Sequence, residues 1–264
     1  MRASCDGLVI RETEYGENDR LVTVLTAEHG QMLMIAKGAR SLKSKTMSLC
    51  RLFTYANFEY YEKNGRYWLS GGSVNDSFFG ISSDIQGFAL ASYVVQLASE
   101  ITGEEAGAER TLRMTLNTLY AIEKRLKPFA QIKSVYEIFA SEESGFSPDI
   151  DGCDMCGDEK PESDFWLDIM NGRLVCGKCL SQRNATAEAI KNEELRIQSI
   201  LVPMDISAVS AWEYVRRAEL KRIFSFELAS AESLERLAKA SEAYITNHLE
   251  RSFETLEFYN AVKE

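Results

Sequence analysis

Short apolar runs in the first 80 residues alternate with polar positions and predict a β domain. The alternation is clear at Val22 and Val24, as in strands that bury one face. Asn64-Gly65 predicts a hairpin turn, because both residues tolerate a positive φ. The predicted strands are residues 7–11, 21–26, 31–36, 53–61 and 67–70. Five short strands fit a small closed or half-closed barrel, and we interpret the glycine-rich residues 70–73 as a loop.

After residue 84 the apolar positions recur every three or four residues, which predicts helices. The first three stripes are Ile85, Phe88, Ala89, Tyr93, Leu97 and Ile101; Leu112, Leu116, Leu119 and Leu126; and Phe129, Ile132, Val135, Tyr136 and Phe139. Helical character returns from Thr186, with Pro203 as its clearest break. The last predicted stripe is Leu249, Phe253, Leu256 and Tyr259.

These patterns predict a multidomain α+β protein. We expect a barrel domain at 1–80, a helical domain in two parts at 81–148 and 181–264, and a cysteine-rich insert at 149–180 between those parts.

The insert contains two CxxC pairs, and their spacing is that of a four-cysteine zinc site. Nineteen residues separate Cys153-x2-Cys156 from Cys176-x2-Cys179, with enough apolar sequence between them for a β-hairpin. Four thiolates fill a tetrahedral Zn²⁺ and leave no position for water, so the expected role is structural. Two redox-active or disulfide-forming pairs, or an iron–sulfur cluster, are the alternatives. Cys5 and Cys50 lack such partners, and we interpret them as semi-buried thiols.

Charge is distributed unevenly along the chain, whose formal net charge is −10. Residues 1–80 carry a net charge of +1, whereas residues 81–180 carry −8. Residues 37–51 contain no acid, and their cations are Lys37, Arg40, Lys43, Lys45 and Arg51. A phosphate backbone responds to such a local field, so we favour phosphate binding over a merely solvated loop.

Aromatic residues follow this basic segment, at Phe53, Tyr55, Phe58, Tyr60, Tyr61, Tyr67 and Trp68. They are either barrel core or platforms on which the bases of a single strand stack. Because alternation along a strand buries half of its side chains, core is the favoured interpretation for any one of them.

Several classes of function are not supported by the sequence. There is no GxxxxGK[ST], GxGxxG or HExxH motif. No apolar run approaches the roughly 20 residues that cross a bilayer, and residues 1–10 contain no secretory signal. We therefore expect a cytoplasmic protein that is not an enzyme and has no membrane partner. Reducing conditions there favour metal binding over disulfides.

The order of parts and several short stretches resemble the bacterial DNA-repair RecO family over essentially the full length. The most specific stretches are Leu8-Val9-Ile10-Arg11-Glu12, Tyr15-Gly16-Glu17-Asn18-Asp19-Arg20, Glu28-His29-Gly30, Lys37-Gly38-Ala39-Arg40, Gly145-Phe146-Ser147-Pro148, Tyr244-Ile245-Thr246-Asn247-His248-Leu249 and Leu256-Glu257-Phe258.

The resemblance implies an N-terminal OB-fold joined to a helical domain, here with an inserted four-cysteine zinc knuckle. It implies binding of single- and double-stranded DNA, strand annealing, and action with RecR in loading RecA onto DNA coated by single-stranded-DNA-binding protein (SSB). It also implies that the helical part binds the acidic, apolar-ended SSB tail, and that the protein associates with the nucleoid.

By resemblance Lys37, Arg40, Lys43 and Lys45 fall in the family's basic DNA-contacting region. Arg51 extends this segment, and the further candidates are Arg11 and Arg20. An SSB-tail pocket would need cations such as Arg125, Lys127 or Lys133. The leading hypothesis is a recombination mediator, and the alternative is a zinc-containing interaction scaffold with only incidental DNA contact. A zinc hydrolase would need an open coordination position, which four thiolates do not leave.

Overall fold

The computed structural model describes residues 2–41, 43–103, 107–160, 164–189 and 200–263. Its contacts divide the chain into two compact units. Unit 1 contains residues 1–126 and 253–264, and unit 2 contains residues 127–252. The domains predicted from the sequence were divided by their content of strands and helices, whereas these units are divided by contacts. The predicted domain boundaries therefore stay a prediction.

Unit 1 begins with the predicted barrel, which is closed and has the strand order β1-β2-β3-β5-β4. Its strands are β1 Arg2–Tyr15, β2 Asp19–Thr26, β3 Gly30–Ala36, β4 Tyr55–Lys63 and β5 Arg66–Asp76. Val22, Val24 and Phe58 are fully buried in the barrel core, as alternation requires. A short parallel pairing of Met34 with Tyr67 closes the sheet.

The β4–β5 hairpin turns at Asn64 and Gly65, whose φ angles are 54° and 69°, as the sequence predicted. The predicted loop at 70–73 is wrong, because β5 continues through it and Gly72 pairs with Phe58. The register shifts between Glu59 and Tyr60 opposite this stretch. Gly72 has a φ of +147°, and a Cβ there would lie 2.1 Å from the Asn57 carbonyl oxygen. Only glycine fits position 72, beside the bulge at Ser70, without strain.

Three helices complete unit 1: α1 Ile85–Ile101, α2 Glu109–Glu123 and α7 Glu254–Val262. The Asp84 side chain caps α1 by accepting from the backbone N–H groups of residues 86 and 87. Helix α1 packs against α7, where the Tyr93 and Phe253 rings meet edge to face at 5.7 Å. The predicted α1 stripe is wrong at its start, because Ile85 and Phe88 are exposed. The predicted α2 stripe is wrong at its end, because Leu126 lies beyond the helix and is exposed.

Unit 2 contains α3 Phe129–Glu143, α4 Gly177–Ala189, α5 Ile206–Arg217 and α6 Ala231–His248. Helix α3 packs against both α5 and α6. Lys133 of α3 is buried between Glu137, at 2.8 Å, and Glu242, at 2.9 Å. The last predicted stripe spans a break, since α6 ends before α7 begins and Glu250 between them has a φ of 51°.

Unit 2 also contains a four-stranded sheet with the order β6-β8-β7-β9. Its strands are β6 Asp149–Cys153, β7 Phe165–Asp168, β8 Arg173–Cys176 and β9 Leu201–Met204. Strands β7 and β8 are the predicted hairpin between the cysteine pairs. The predicted return to helix from Thr186 is wrong in two respects: α4 already starts at Gly177, and residues 201–204 form a strand. Residues 190–199 of that predicted helix lie outside the described residues.

Candidate nucleic-acid surface and four-cysteine site

The two CxxC pairs come together at one end of the β6–β9 sheet. Cys153 ends β6, Cys176 ends β8, and Cys179 lies in the first turn of α4. All four sulfurs lie within 4.8 Å of one another, with Cys156 exposed and the other three buried. Sulfurs bound at about 2.3 Å to a tetrahedral Zn²⁺ would lie about 3.8 Å apart. The Cys156 and Cys176 sulfurs are 3.9 Å apart, so the cluster can hold one such ion.

Backbone N–H groups point at these sulfurs and favour thiolate. The Cys176 N–H donates to the Cys153 sulfur at 3.3 Å, and the Cys179 N–H donates to the Cys176 sulfur at 3.5 Å. Burial raises the pKa of the Cys153 thiol, but hydrogen bonds from the backbone N–H groups of Cys176, Cys156 and Met155 and with the Cys156 thiol outweigh it and lower the pKa to about 7. Hydrogen bonding to Cys156, together with burial, raises the pKa of Cys179 to about 12. A divalent cation would supply the charge that lets all four thiols ionise.

An aromatic group at the end of α6 holds the β7–β8 turn in place. The Tyr244 hydroxyl donates to the Phe146 carbonyl oxygen at 2.6 Å. His248 Nε2 lies 3.0 Å from the Ile169 carbonyl oxygen, and its ring stacks on Phe146 at 5.2 Å. A Cβ on Gly172 would come within 2.7 Å of the Tyr244 hydroxyl. Two stretches that carried the family resemblance, around residues 146 and 244, thus meet to brace the segment that carries the cysteines, which we call the four-cysteine subdomain (the described residues of 149–180).

The surface of this subdomain is acidic. Its exposed carboxylates in the described part of the chain are Asp149, Asp151, Asp154, Asp158, Glu159 and Asp164. Arg173 reaches Asp154 at 3.0 Å, and Arg236 of α6 pairs with Asp164. The described exposed carboxylates outnumber the exposed cations Lys160, Arg173 and Lys178, so this surface disfavours phosphate.

The basic segment, residues 37–51, lies between β3 and β4. Backbone hydrogen bonds and buried side chains attach it to the barrel. Gly38 N–H donates to the Asp19 carboxylate at 2.8 Å, with a Gly38 φ of +63°. Arg40 N–H donates to the Asn18 carbonyl at 3.1 Å. Leu49 and Cys50 form a short 3-10 helix with Ser48 and are buried in the barrel core. The segment is therefore a loop plus a short helix, one of the two predicted forms.

The candidate DNA-contacting cations differ in their partners. Arg40 lies 3.1 Å from Glu14, and Arg20 is half-buried in an ion pair with Glu12. The other candidates are exposed and form no ion pair with any described residue: Arg11, Lys37, Lys43, Lys45 and Arg51. These five cations are therefore available to an anionic ligand.

The aromatic residues after the basic segment divide into two groups. Phe53, Phe58 and Tyr60 are buried, and Tyr67 packs edge to face on Tyr60 at 5.4 Å. The others are half-buried: Tyr55, Tyr61 and Trp68. Core was the favoured interpretation for each residue, and it holds for the first group.

Two cations that the sequence analysis missed flank the hairpin turn. Lys63 and Arg66 are directly paired across β4 and β5, as are Tyr61 and Trp68. Side chains two residues apart on a strand share a face, so all four lie on one face. Assigning alternate residues on either side of the predicted Asn64-Gly65 turn to one face of the hairpin could have identified them from the sequence.

The cations considered for an SSB-tail pocket already have carboxylate partners. Arg125 lies 2.9 Å from Asp84, Lys127 pairs with Glu227, and Lys133 is enclosed by Glu137 and Glu242. An acidic peptide would have to compete with these carboxylates.

Within the described ranges, no helix combines the length and the apolar character needed to cross a membrane.

Fold and site together define a class: a small closed barrel with an exposed basic segment, joined to a helical body that carries a four-cysteine subdomain. Family models described as "Recombination protein O N terminal" and "Recombination protein O C terminal" match residues 1–78 and 82–225. The chain belongs to the RecO family. The barrel is its OB-fold.

Curated relatives agree with this assignment. DNA repair protein RecO of Acetivibrio thermocellus is 29% identical over 252 residues, covering 96% of this chain and 94% of that protein. The protein of the same name from Listeria welshimeri is 30% identical over 178 residues, covering 67% and 69%. That from Alkaliphilus metalliredigens is 25% identical over 259 residues, covering 97% and 98%.

Proposed function

We propose that this chain is a recombinational DNA repair mediator. In this proposal it binds single- and double-stranded DNA, anneals complementary strands, and helps load RecA onto SSB-coated DNA together with RecR. Membership of the RecO family and the names of the curated relatives support a role in DNA repair. The finer steps, including RecA loading with RecR on SSB-coated DNA, are what the resemblance to the RecO family implies, and the charge of the barrel supports the DNA-binding step.

The observation that carries the proposal is the set of five exposed cations on the barrel that form no ion pair with any residue in the described part of the chain: Arg11, Lys37, Lys43, Lys45 and Arg51. Cations of this kind neutralise phosphates and release counterions, which supplies affinity without regard to base sequence. Annealing needs no covalent step, because lowering the repulsion between two strands lets base pairing proceed. The protein therefore acts by binding and not as an enzyme.

We also infer that Cys153, Cys156, Cys176 and Cys179 bind one structural Zn²⁺. The four sulfurs fit tetrahedral thiolate coordination. Bound zinc would tie the end of β6 and the end of β8 to the start of α4. Because the surrounding surface is acidic, its role is to stabilise unit 2 and not to contact DNA.

The proposed partners are DNA, RecR and the acidic, apolar-ended SSB tail. We place the SSB tail on the helical part, where it must compete for cations that are already paired. In unit 2, Lys127 is more accessible than Lys133, since 17% of its side chain is exposed against 2%.

The test of DNA binding reverses two charges on the barrel and compares the result with a matched change elsewhere. Lys43→Glu/Lys45→Glu should weaken binding to single strands and duplex alike, by roughly tenfold or more, and lower the salt slope by about two. Lys221→Glu/Lys239→Glu makes the same change in net charge at two exposed lysines of unit 2, which pair with Glu219 and Glu235. Fluorescence anisotropy of labelled DNA at several salt concentrations measures both.

An unchanged affinity and slope in Lys43→Glu/Lys45→Glu would remove the basic segment from the DNA surface. No binding by the wild-type protein would favour the interaction scaffold. A strand-annealing assay with and without SSB then tests the mediator role, and it should show faster annealing that depends on Lys43 and Lys45.

A further inference from the structure

The outer face of the β4–β5 hairpin forms a cleft of about 430 Å³ lined by Lys37, Tyr61, Lys63, Asn64, Arg66 and Trp68. Three of its lining residues are cations, two are aromatic, and none of those that the structure describes is a carboxylate. Its volume lies within the roughly 300–1,000 Å³ of pockets that take small ligand groups. The cleft thus combines the two features that bind a nucleotide, which are charge for phosphate and an aromatic face for the base.

The strand register explains how these residues come together. Tyr61 is directly opposite Trp68, and Trp68 is in turn paired with Ile35 on β3. Lys37 lies two residues beyond Ile35, so its side chain emerges on the same face as Trp68. Its ammonium lies 5.0 Å from the centroid of the Trp68 ring, at the distance of a cation–π interaction.

The cations of the cleft are available to a ligand. Lys37, Lys63 and Arg66 are exposed and form no ion pair with any described residue. The Trp68 Nε1–H is shielded from solvent and has no acceptor among the described residues. A buried donor without a partner is unfavourable.

We propose that this cleft binds one unpaired nucleotide of single-stranded DNA, with its base stacked on Trp68 and its flanking phosphates held by Lys37, Lys63 and Arg66. The base takes the place of the Lys37 ammonium on the ring, and the ammonium moves to the neighbouring phosphate. This inference rests on the proposed DNA binding by the barrel, and adds a contact that selects unpaired bases. Bases in a duplex are already stacked and paired, so the cleft discriminates single strands from duplex.

The experiment replaces Trp68 with leucine, which removes the aromatic ring and keeps an apolar side chain. Trp68→Leu should weaken binding to labelled oligothymidylate by about tenfold, as expected for loss of one stacked base, and leave duplex binding within about twofold. The matched control is Tyr120→Leu, which removes an exposed aromatic on α2 that also has a lysine, Lys124, near its ring. This control should leave both affinities unchanged.

Two further measurements identify the contact. An abasic oligonucleotide of the same length keeps the phosphates and lacks bases, so the wild-type protein should bind it about tenfold more weakly than oligothymidylate, and Trp68→Leu should bind the two alike. Stacking should also quench tryptophan fluorescence on titration with oligothymidylate. That quenching should disappear in Trp68→Phe, which keeps a ring and hence the fold but removes the reporter at residue 68.

The results separate this proposal from the proposed function. If the wild-type protein binds DNA through Lys43 and Lys45, but Trp68→Leu binds single strands normally, the cleft proposal is wrong and DNA binding stands. Equal wild-type affinity for abasic and normal strands would likewise overturn stacking. If Trp68→Leu fails to fold, the fluorescence quenching of the wild-type protein and its affinity for the abasic strand still show whether a base stacks on Trp68.

Discussion

The barrel and the four-cysteine subdomain both present charged loops, but with opposite signs. On the barrel, exposed cations such as Lys43 and Lys45 have no ion-pair partner in the described structure. On the subdomain, six carboxylates are exposed, among them Asp149 and Asp158. Both regions lie in one chain of net charge −10, so the proposed phosphate contact is placed on the barrel by local charge and not by total charge.

The two regions also differ in what stabilises them. The barrel closes through backbone pairing and a continuous apolar core. The subdomain has short strands, and its cysteines and the Phe146–Tyr244–His248 group supply specific contacts in place of a large core. We therefore expect damage to the subdomain to lower the stability of unit 2 and damage to the barrel to lower DNA affinity.

The largest expected effect follows from removing one zinc ligand. Cys176→Ser should abolish binding of one Zn²⁺ per chain and destabilise unit 2 by on the order of 5 kcal/mol, because metal binding is coupled to folding. The melting temperature should fall by roughly 10–20 °C, while DNA binding is partly retained. A metal assay and thermal unfolding followed by circular dichroism measure these changes.

The matched control is Cys5→Ser, a half-buried thiol of the barrel whose pKa burial raises to about 11. It should keep the zinc and lose no more than about 1 kcal/mol. If Cys176→Ser keeps its zinc, the assigned ligand set is wrong. If it loses DNA binding while still folded, the contrast between the two regions fails.

Much of this contrast could be predicted from the sequence, because it rests on local signals. The spacing of the cysteines predicted a cluster, and the structure brings all four sulfurs together. Asn64-Gly65 predicted the hairpin through residue conformation alone.

The features that could not be predicted depend on tertiary contacts. Strand β9 is four residues long and contains Pro203, which reads as a break in sequence. It is tolerated because β9 is the edge of the sheet. Residues 70–73 resemble a loop in composition, and only the pairing of Gly72 with Phe58 makes them a strand. Phe146 and His248 are about 100 residues apart, so no local pattern links them.

A smaller loss of stability is expected from distorting strand β5 of the barrel at Gly72. Gly72→Ala should destabilise unit 1 by about 3 kcal/mol, because φ is +147° and the new Cβ would meet the Asn57 carbonyl oxygen at 2.1 Å. Affinity for both single strands and duplex should fall with it. In the control Gly16→Ala, φ is +60° and nothing lies within 4 Å of the new Cβ, so about 1 kcal/mol is expected. Equal stability of the two variants would contradict the bulge geometry.

The smallest effect tests the bracing of the four-cysteine subdomain. Gly172→Ala should destabilise unit 2 by about 2 kcal/mol, since it adds left-handed backbone strain and a Cβ within 2.7 Å of the Tyr244 hydroxyl. Gly145→Ala carries the same kind of strain, with φ at +80° and open space around the new Cβ, so about 1 kcal/mol is expected. The difference in thermal unfolding between these two variants isolates the contact with Tyr244. In a Tyr244→Phe background that difference should shrink, because the oxygen that the Cβ meets is gone. DNA affinity should be unchanged in every one of these variants, and a loss would show that the subdomain contributes to the DNA surface despite its negative charge.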